Sequence, residues 1–198
     1  MLEQEFTNLI NEFGTNVRLN DETITRKVII SSESQSDNVY DFDDRKVSTN
    51  FPITRGDTMV IGDVHYLVIN DVQMKRGTGE YKSVVRPMSN VFNYTYMTEG
   101  VIIEYDRMGT PIYADGQEPQ EITEPLPCIA YQEGSPTLTS GQIVMPETRI
   151  KVIMPDNEVT ALIEMNSDHT VLNHNYKIED INLLQSGIRI FTMEWTTQ

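Results

Sequence analysis

Hydrophobic and polar positions along the chain follow two periods, and the first lasts for a single element. Leu2, Phe6, Leu9, Ile10 and Phe13 recur at three- and four-residue steps, which lays one apolar stripe along a helix. Glu3 and Glu5 fall in its first turn, where the helix dipole favours acids, and Gly14 supplies the stop. After that the period is two. Residues 26–30 are rich in β-branched side chains. Residues 58–61 end at Gly62-Asp63 and 64–69 follow at once, which predicts a hairpin. Residues 81–86 follow Gly77-Thr78-Gly79 and predict a second hairpin, stopped by Pro87. Residues 101–105, 128–131, 149–153, 159–163, 176–178 and 188–195 continue the strand pattern. Asp115-Gly116 predicts a turn, and Asp156-Asn157 a hairpin joining 149–153 to 159–163. Pro119, Pro125 and Pro127 give residues 118–124 the look of a linker. Residues 188–195 carry apolar side chains on both faces, as a central strand does.

Strands joined by turns, with no helices between them, predict an all-β protein. The expected organisation is a short helix and small β-barrel over residues 1–95 and a second β unit over 96–198. Residues 31–45 are polar, acidic and aperiodic, and read as a long loop of the kind that often carries function. The segments 65–68 and 175–178 resemble each other in two positions. Convergence on a common β pattern is the preferred account of that hint of a repeat.

Composition narrows the class. Of the 198 residues 15 are Lys or Arg and 30 Asp or Glu, a net charge of −15, which argues against a surface that grips nucleic acid throughout. The charge is uneven: residues 1–95 hold ten bases and fourteen acids, residues 96–198 five and sixteen. The single cysteine, Cys128, excludes a disulfide framework and a Cys-based zinc module. No apolar run approaches the roughly 18 residues of a membrane helix, and the acidic start does not read as a signal peptide.

The candidate chemistry is sparse. His65, His169 and His174 lack a metal-ligand spacing, and Cys128 has no base or positive neighbour to activate it. Asp37, Asp41, Asp43 and Asp44 lack the central Gly and terminal Glu of a calcium loop. Residues 76–79 precede a strand rather than the helix a phosphate loop needs. Arg55-Gly56-Asp57 spells an adhesion tripeptide but fits a strand-entry turn, and no acid–base pair is singled out. The expectation is a non-enzymatic protein without a cofactor. Arg55, Lys75, Arg76, Lys82 and Arg86 gather around the second hairpin and form a candidate contact for an acidic partner surface.

The ordered runs 53–57, 64–72 and 81–90, with Gly-Asp, then Tyr-Leu-Val, then Tyr, Arg and Asn, carry a resemblance. They resemble small β-barrel proteins encoded near the head–tail genes of tailed bacteriophages. The runs 150–157, 176–181 and 187–194 are similar to Ig-like modules of phage virion proteins. The resemblance covers residues 20–90 and 128–195 best. It implies a C-terminal Ig-like β-sandwich and a virion structural subunit that forms a ring in the neck, as a head–tail connector, stopper or collar. The implied partners are other copies of the chain and neighbouring portal, adaptor or tail proteins, with DNA only as passing cargo and no membrane. On that reading Asp37, Tyr40, Asp41, Phe42, Asp43 and Asp44 belong to a loop that orders on assembly or gates the channel. The alternative is a receptor- or carbohydrate-binding β module, with Tyr94, Tyr96, Tyr105, Tyr113 and Trp195 as its aromatic platform.

Overall fold

The computed structural model describes residues 2–20, 22–32, 43–132 and 149–196. The first element is the predicted helix, α1 (Leu2–Phe13). It buries Ile10 and ends where expected: the Gly14 amide donates to the Ile10 carbonyl at 2.8 Å, and the Lys27 ammonium donates to the Asn11 carbonyl at 2.6 Å. A Cβ on Gly14 would meet the Ile10 carbonyl oxygen at 2.3 Å, so no larger residue fits this stop.

Seven strands follow: β1 (Thr15–Leu19), β2 (Thr25–Ser32), β3 (Arg45–Thr49), β4 (Thr58–Ile61), β5 (Val64–Val68), β6 (Gln73–Lys75) and β7 (Glu80–Pro87). All pairings are antiparallel, and the contact between β3 and β7 closes the ring β1-β2-β3-β7-β5-β4 into a barrel. The outlying strand β6 pairs only with β7, on the side β5 also occupies. Asn70 bridges the gap between β5 and β6, its Oδ1 accepting from the Val84 amide at 2.8 Å and the Ser83 hydroxyl at 2.6 Å. Val17, Val28, Val47, Met59, Tyr66 and Val85 are among the side chains that fill the interior.

The second unit contains β8 (Asn90–Met97), β9 (Ile102–Tyr105), β10 (Pro111–Tyr113), β11 (Glu121–Gln132), β12 (Arg149–Pro155), α2 (Glu158–Ala161), β13 (Asp168–Val171), β14 (His174–Asn182) and β15 (Ile188–Trp195). Six of these close as β8-β11-β12-β15-β14-β13 around Phe92, Val152, Met154, Ile178, Phe191 and Met193. The expected Ig-like sandwich therefore takes the form of a closed barrel: β8 pairs with both β11 and β13, so the sheet has no free outer strand. Strand β8 belongs to this barrel, and the boundary between the units falls between Pro87 and Asn90 rather than at residue 95.

Numbered within their own barrels, the strands of both units run in the same spatial order, one-two-three-six-five-four and back to one. The fourth and fifth strands form the same hairpin in each, with a two-residue turn, and Met59 opposite Tyr66 corresponds to His169 opposite Tyr176. Both tyrosines are buried. The faint similarity between residues 65–68 and 175–178 thus marks a repeated architecture.

Two local expectations are corrected. Residues 159–163 are not a strand, because Asn157 caps a helical turn. Its Oδ1 accepts from the Thr160 amide at 2.9 Å, while the Thr160 hydroxyl accepts from the Asn157 amide at 3.0 Å. This reciprocal box outweighs the strand preference of Val159 and Thr160. The presumed linker 118–124 runs into β11 from Glu121, because residues 121–128 pair with β8 along their length. Strand β12 joins β11 only from Ile129, so the prolines at 125 and 127 lie where the strand has one open side.

Candidate functional surfaces: a joint, a cleft and a projecting arm

The two barrels meet through side chains that point outward from their own sheets. Leu67 on β5 and Met88 on the connection pack with Ile129, Ile153 and Ile188 of the second barrel, with Ile69, Tyr131 and Ile190 at the margin. This explains the two-faced pattern of residues 188–195: Phe191 and Met193 face the interior of their barrel, while Ile188 and Ile190 face the joint. Gly56 and Gly187 touch beside the cluster. A Cβ on Gly56 would stand 1.9 Å from the Gly187 carbonyl oxygen, and one on Gly187 would stand 2.0 Å from that of Arg55. Both have positive φ, +92° and +87°, so neither the space nor the backbone admits a side chain. The Arg55-Gly56-Asp57 tripeptide is therefore part of an internal joint.

Next to this contact lies a cleft of about 650 Å³, lined from both barrels by residues that include Arg55, His65, Glu124, Asp156 and Thr160. Several of its polar groups are engaged with each other. Asp57 accepts from the Asn20 amide nitrogen and the Thr54 backbone amide, each at 2.7 Å. Arg189 donates to Asp156 at 2.6 Å, and Arg55 pairs with Asp71 at 2.8 Å.

The five candidate basic residues are not held in one patch. Arg86 is largely buried and grips Asp44 through two 2.7 Å hydrogen bonds, tying down the entry to β3. Arg55 lines the cleft. Lys75, Arg76 and Lys82 remain together and exposed on the β6–β7 hairpin, with Lys82 also 3.3 Å from Glu80. Of the six loop residues, Asp37, Tyr40, Asp41 and Phe42 lie outside the described residues. Asp43 pairs with Arg45 at 2.9 Å and raises the pKa of that guanidinium through their hydrogen bond.

Cys128 and His169 are buried in the second barrel. The Cys128 thiol is buried and its pKa pushed up to about 12, which leaves it protonated at neutral pH. His169 is buried against Phe92 and Tyr94 and shares a 2.8 Å hydrogen bond with the Ser167 hydroxyl. Burial lowers its pKa, partly opposed by Asp168. Among the described residues, no group of three or more His, Cys, Asp or Glu side chains is placed to hold a metal. Of the five aromatic residues, Tyr94 is buried and stacks on Tyr96 at 5.2 Å, Tyr113 packs on Gly100, and Tyr105 and Trp195 are exposed. Trp195 stacks beside His174 at the end of β15, not in the core.

A feature the alternation did not reveal stands on the second barrel. Between β8 and β11, residues 98–120 form an arm whose two strands, β9 and β10, pair only with each other. Its base is fastened by mutual hydrogen bonds between Thr98 and Gln120, and by the Tyr113 ring and Pro119 packed over Gly100. Its tip is fastened by Asp106, whose carboxylate accepts from the Met108 and Thr110 amides, each at 2.8 Å. Those backbone donors, Thr110 first, hold the Asp106 carboxyl below its ordinary pKa. The ordered tip displays Met108 at 92% exposure, and Ile103 and Tyr105 are exposed along β9. Residues 101–105 are predictable as a strand, but their lack of a covering layer is not local information.

Comparison with known proteins covers nearly the whole chain with one family. A family model for the YomX N-terminal domain matches residues 1–87, and one for the YomX C-terminal domain matches residues 90–194. No match to a curated protein or to a solved structure was found.

Proposed function

The chain belongs to the YomX family, which is phage-derived, and from that premise we propose that it is a non-enzymatic structural subunit of a tailed-phage virion. In this reading it forms a ring in the neck, as a head–tail connector, stopper or collar. Its partners are other copies of itself and neighbouring portal, adaptor or tail proteins, and DNA passes it as cargo.

The observation that carries the reading is the arm. A two-stranded ribbon is marginal in water by itself, and apolar side chains displayed on one mark a surface that another protein covers. Here the ribbon is fastened at base and tip and still shows Ile103, Tyr105 and Met108 to solvent. The joint supports the same reading, because a subunit that transmits force along a virion needs barrels that do not swing apart. The net charge of −15 suits a conduit that repels passing DNA rather than binding it.

The test is the mass of the purified chain across a concentration series, alone and with head and tail fractions from the same phage. A ring that forms on heads, or at high concentration, supports the neck assignment. A chain that stays monomeric and binds neither fraction overturns it.

A further inference from the structure

The structural-subunit reading requires a contact between copies, and the inference here rests on that reading and names the contact. Since the two barrels share a strand order, each insertion is something one barrel has and the other lacks. The second barrel has the arm between its first and second strands, where the first barrel has only residues 20–24. The first barrel has β6 between its fifth and sixth strands, where the second has a connection without a strand at 183–187.

The two insertions are opposites in charge and alike in exposing apolar groups. The arm carries Glu99, Glu104, Asp106, Asp115 and Glu118 against the single base Arg107. Strand β6 and its turn carry Lys75 and Arg76, with Lys82 across the ladder and Met74 exposed beside them. Neither Lys75 nor Arg76 forms an ion pair among the described residues, and β6 leaves one edge without a strand partner.

We propose that the arm of one copy docks on the β6–β7 hairpin of a second copy, placing Tyr105 and Met108 against Met74 and the arm's acids against Lys75 and Arg76. The two surfaces differ, so the contact is heterologous: each copy gives an arm and receives one, and the series closes into a ring or extends. The Asp106 hydrogen bonds order the tip before contact, which reduces the entropy lost on docking. The acidic surface elsewhere opposes other modes of approach, so charge selects this register.

The test uses the full chain and two charge reversals at exposed positions. Glu104→Lys, Asp115→Lys and Glu118→Lys together reverse the arm, and Lys75→Glu with Arg76→Glu reverses the hairpin. Each variant alone should need roughly tenfold or more higher concentration to associate. An equimolar mixture should recover wild-type association, because every arm then has a hairpin of opposite charge. In a parallel experiment Met108→Cys chains are mixed with Met74→Cys chains, with and without phage heads; Cys128 is buried and does not compete. A cross-link joining one chain of each kind supports the proposal. Association that is untouched by both reversals overturns it while leaving the ring intact through another surface. No cross-link in either condition also overturns it, and the head-binding assay then decides the ring reading separately.

Discussion

In the first barrel the turn from the fourth to the fifth strand is Gly62-Asp63; in the second it is Leu172-Asn173, with the same register on either side. Gly62 takes its positive φ of +62° without strain, whereas Leu172 and Asn173 hold +52° and +63° with side chains. The contrast recurs at larger scale. One strand order serves both barrels, and their interiors are filled from the same register positions, Tyr66 in one and Tyr176 in the other. What distinguishes them is what each adds: a helix and an extra basic strand in the first, an acidic arm and a buried histidine in the second. Shared topology sets the platform, and the insertions and outward faces decide what each barrel touches.

The largest expected effect comes from breaking the joint that makes the two barrels one body. Gly187→Val puts a side chain onto the Arg55 carbonyl and into an unfavourable φ, and should cost about 3 kcal/mol or more. Calorimetry should show a lower first transition, separated from the second. A single unchanged transition would mean that the close glycine contact does not couple the barrels. Ile153→Ala removes side-chain volume from the same joint but leaves the backbone contact. It should cost about 2–4 kcal/mol, with the loss again seen as uncoupling rather than as collapse of the second barrel's interior.

The third effect separates the barrels by pH. Burial disfavours the charged form of His169, so the unfolded chain takes up a proton more readily than the folded one. The contribution of this residue is therefore complete above its ordinary value of 6.5 and is lost as the pH falls from there towards its lower folded value. Acid titration should weaken the second barrel in that window, and His169→Phe should flatten the profile there. An unaltered profile in the variant would remove His169 from the account. The smallest effect has the opposite sign. Leu172→Asn relieves a strained, exposed turn position and should raise the stability of the second barrel by about 1 kcal/mol, read as a higher midpoint in urea.

Apolar residues at three- and four-residue steps were enough to place α1, and the alternating pattern with the Gly-Asp turn to place β4 with β5 and to identify the all-β class. Local periodicity is sufficient there because each strand buries one face in its own barrel. It failed at 159–163, where one capping side chain reversed the propensity, and at 118–124, where prolines lie in a strand with an open side. It put β8 on the wrong side of the domain boundary, because nothing local says which barrel a strand will close. The basic group of five was visible as letters. Its division into the internal pairings of Arg55 and Arg86 and the exposed cations of the β6–β7 hairpin depends on Asp71 and Asp44 arriving from elsewhere in the chain.

The sequence by itself determined the strand-forming segments, the helix stop at Gly14, the acidic balance, and the apolar character of both faces of residues 188–195. These follow from side-chain period, backbone freedom and composition, which act over a few residues. Only the tertiary structure decided that the second face of β15 meets the other barrel, that Gly56 and Gly187 touch, and that Ile103 and Met108 are left uncovered. Each of these depends on residues far apart in the chain being brought together, or failing to be, so no local window contains the information.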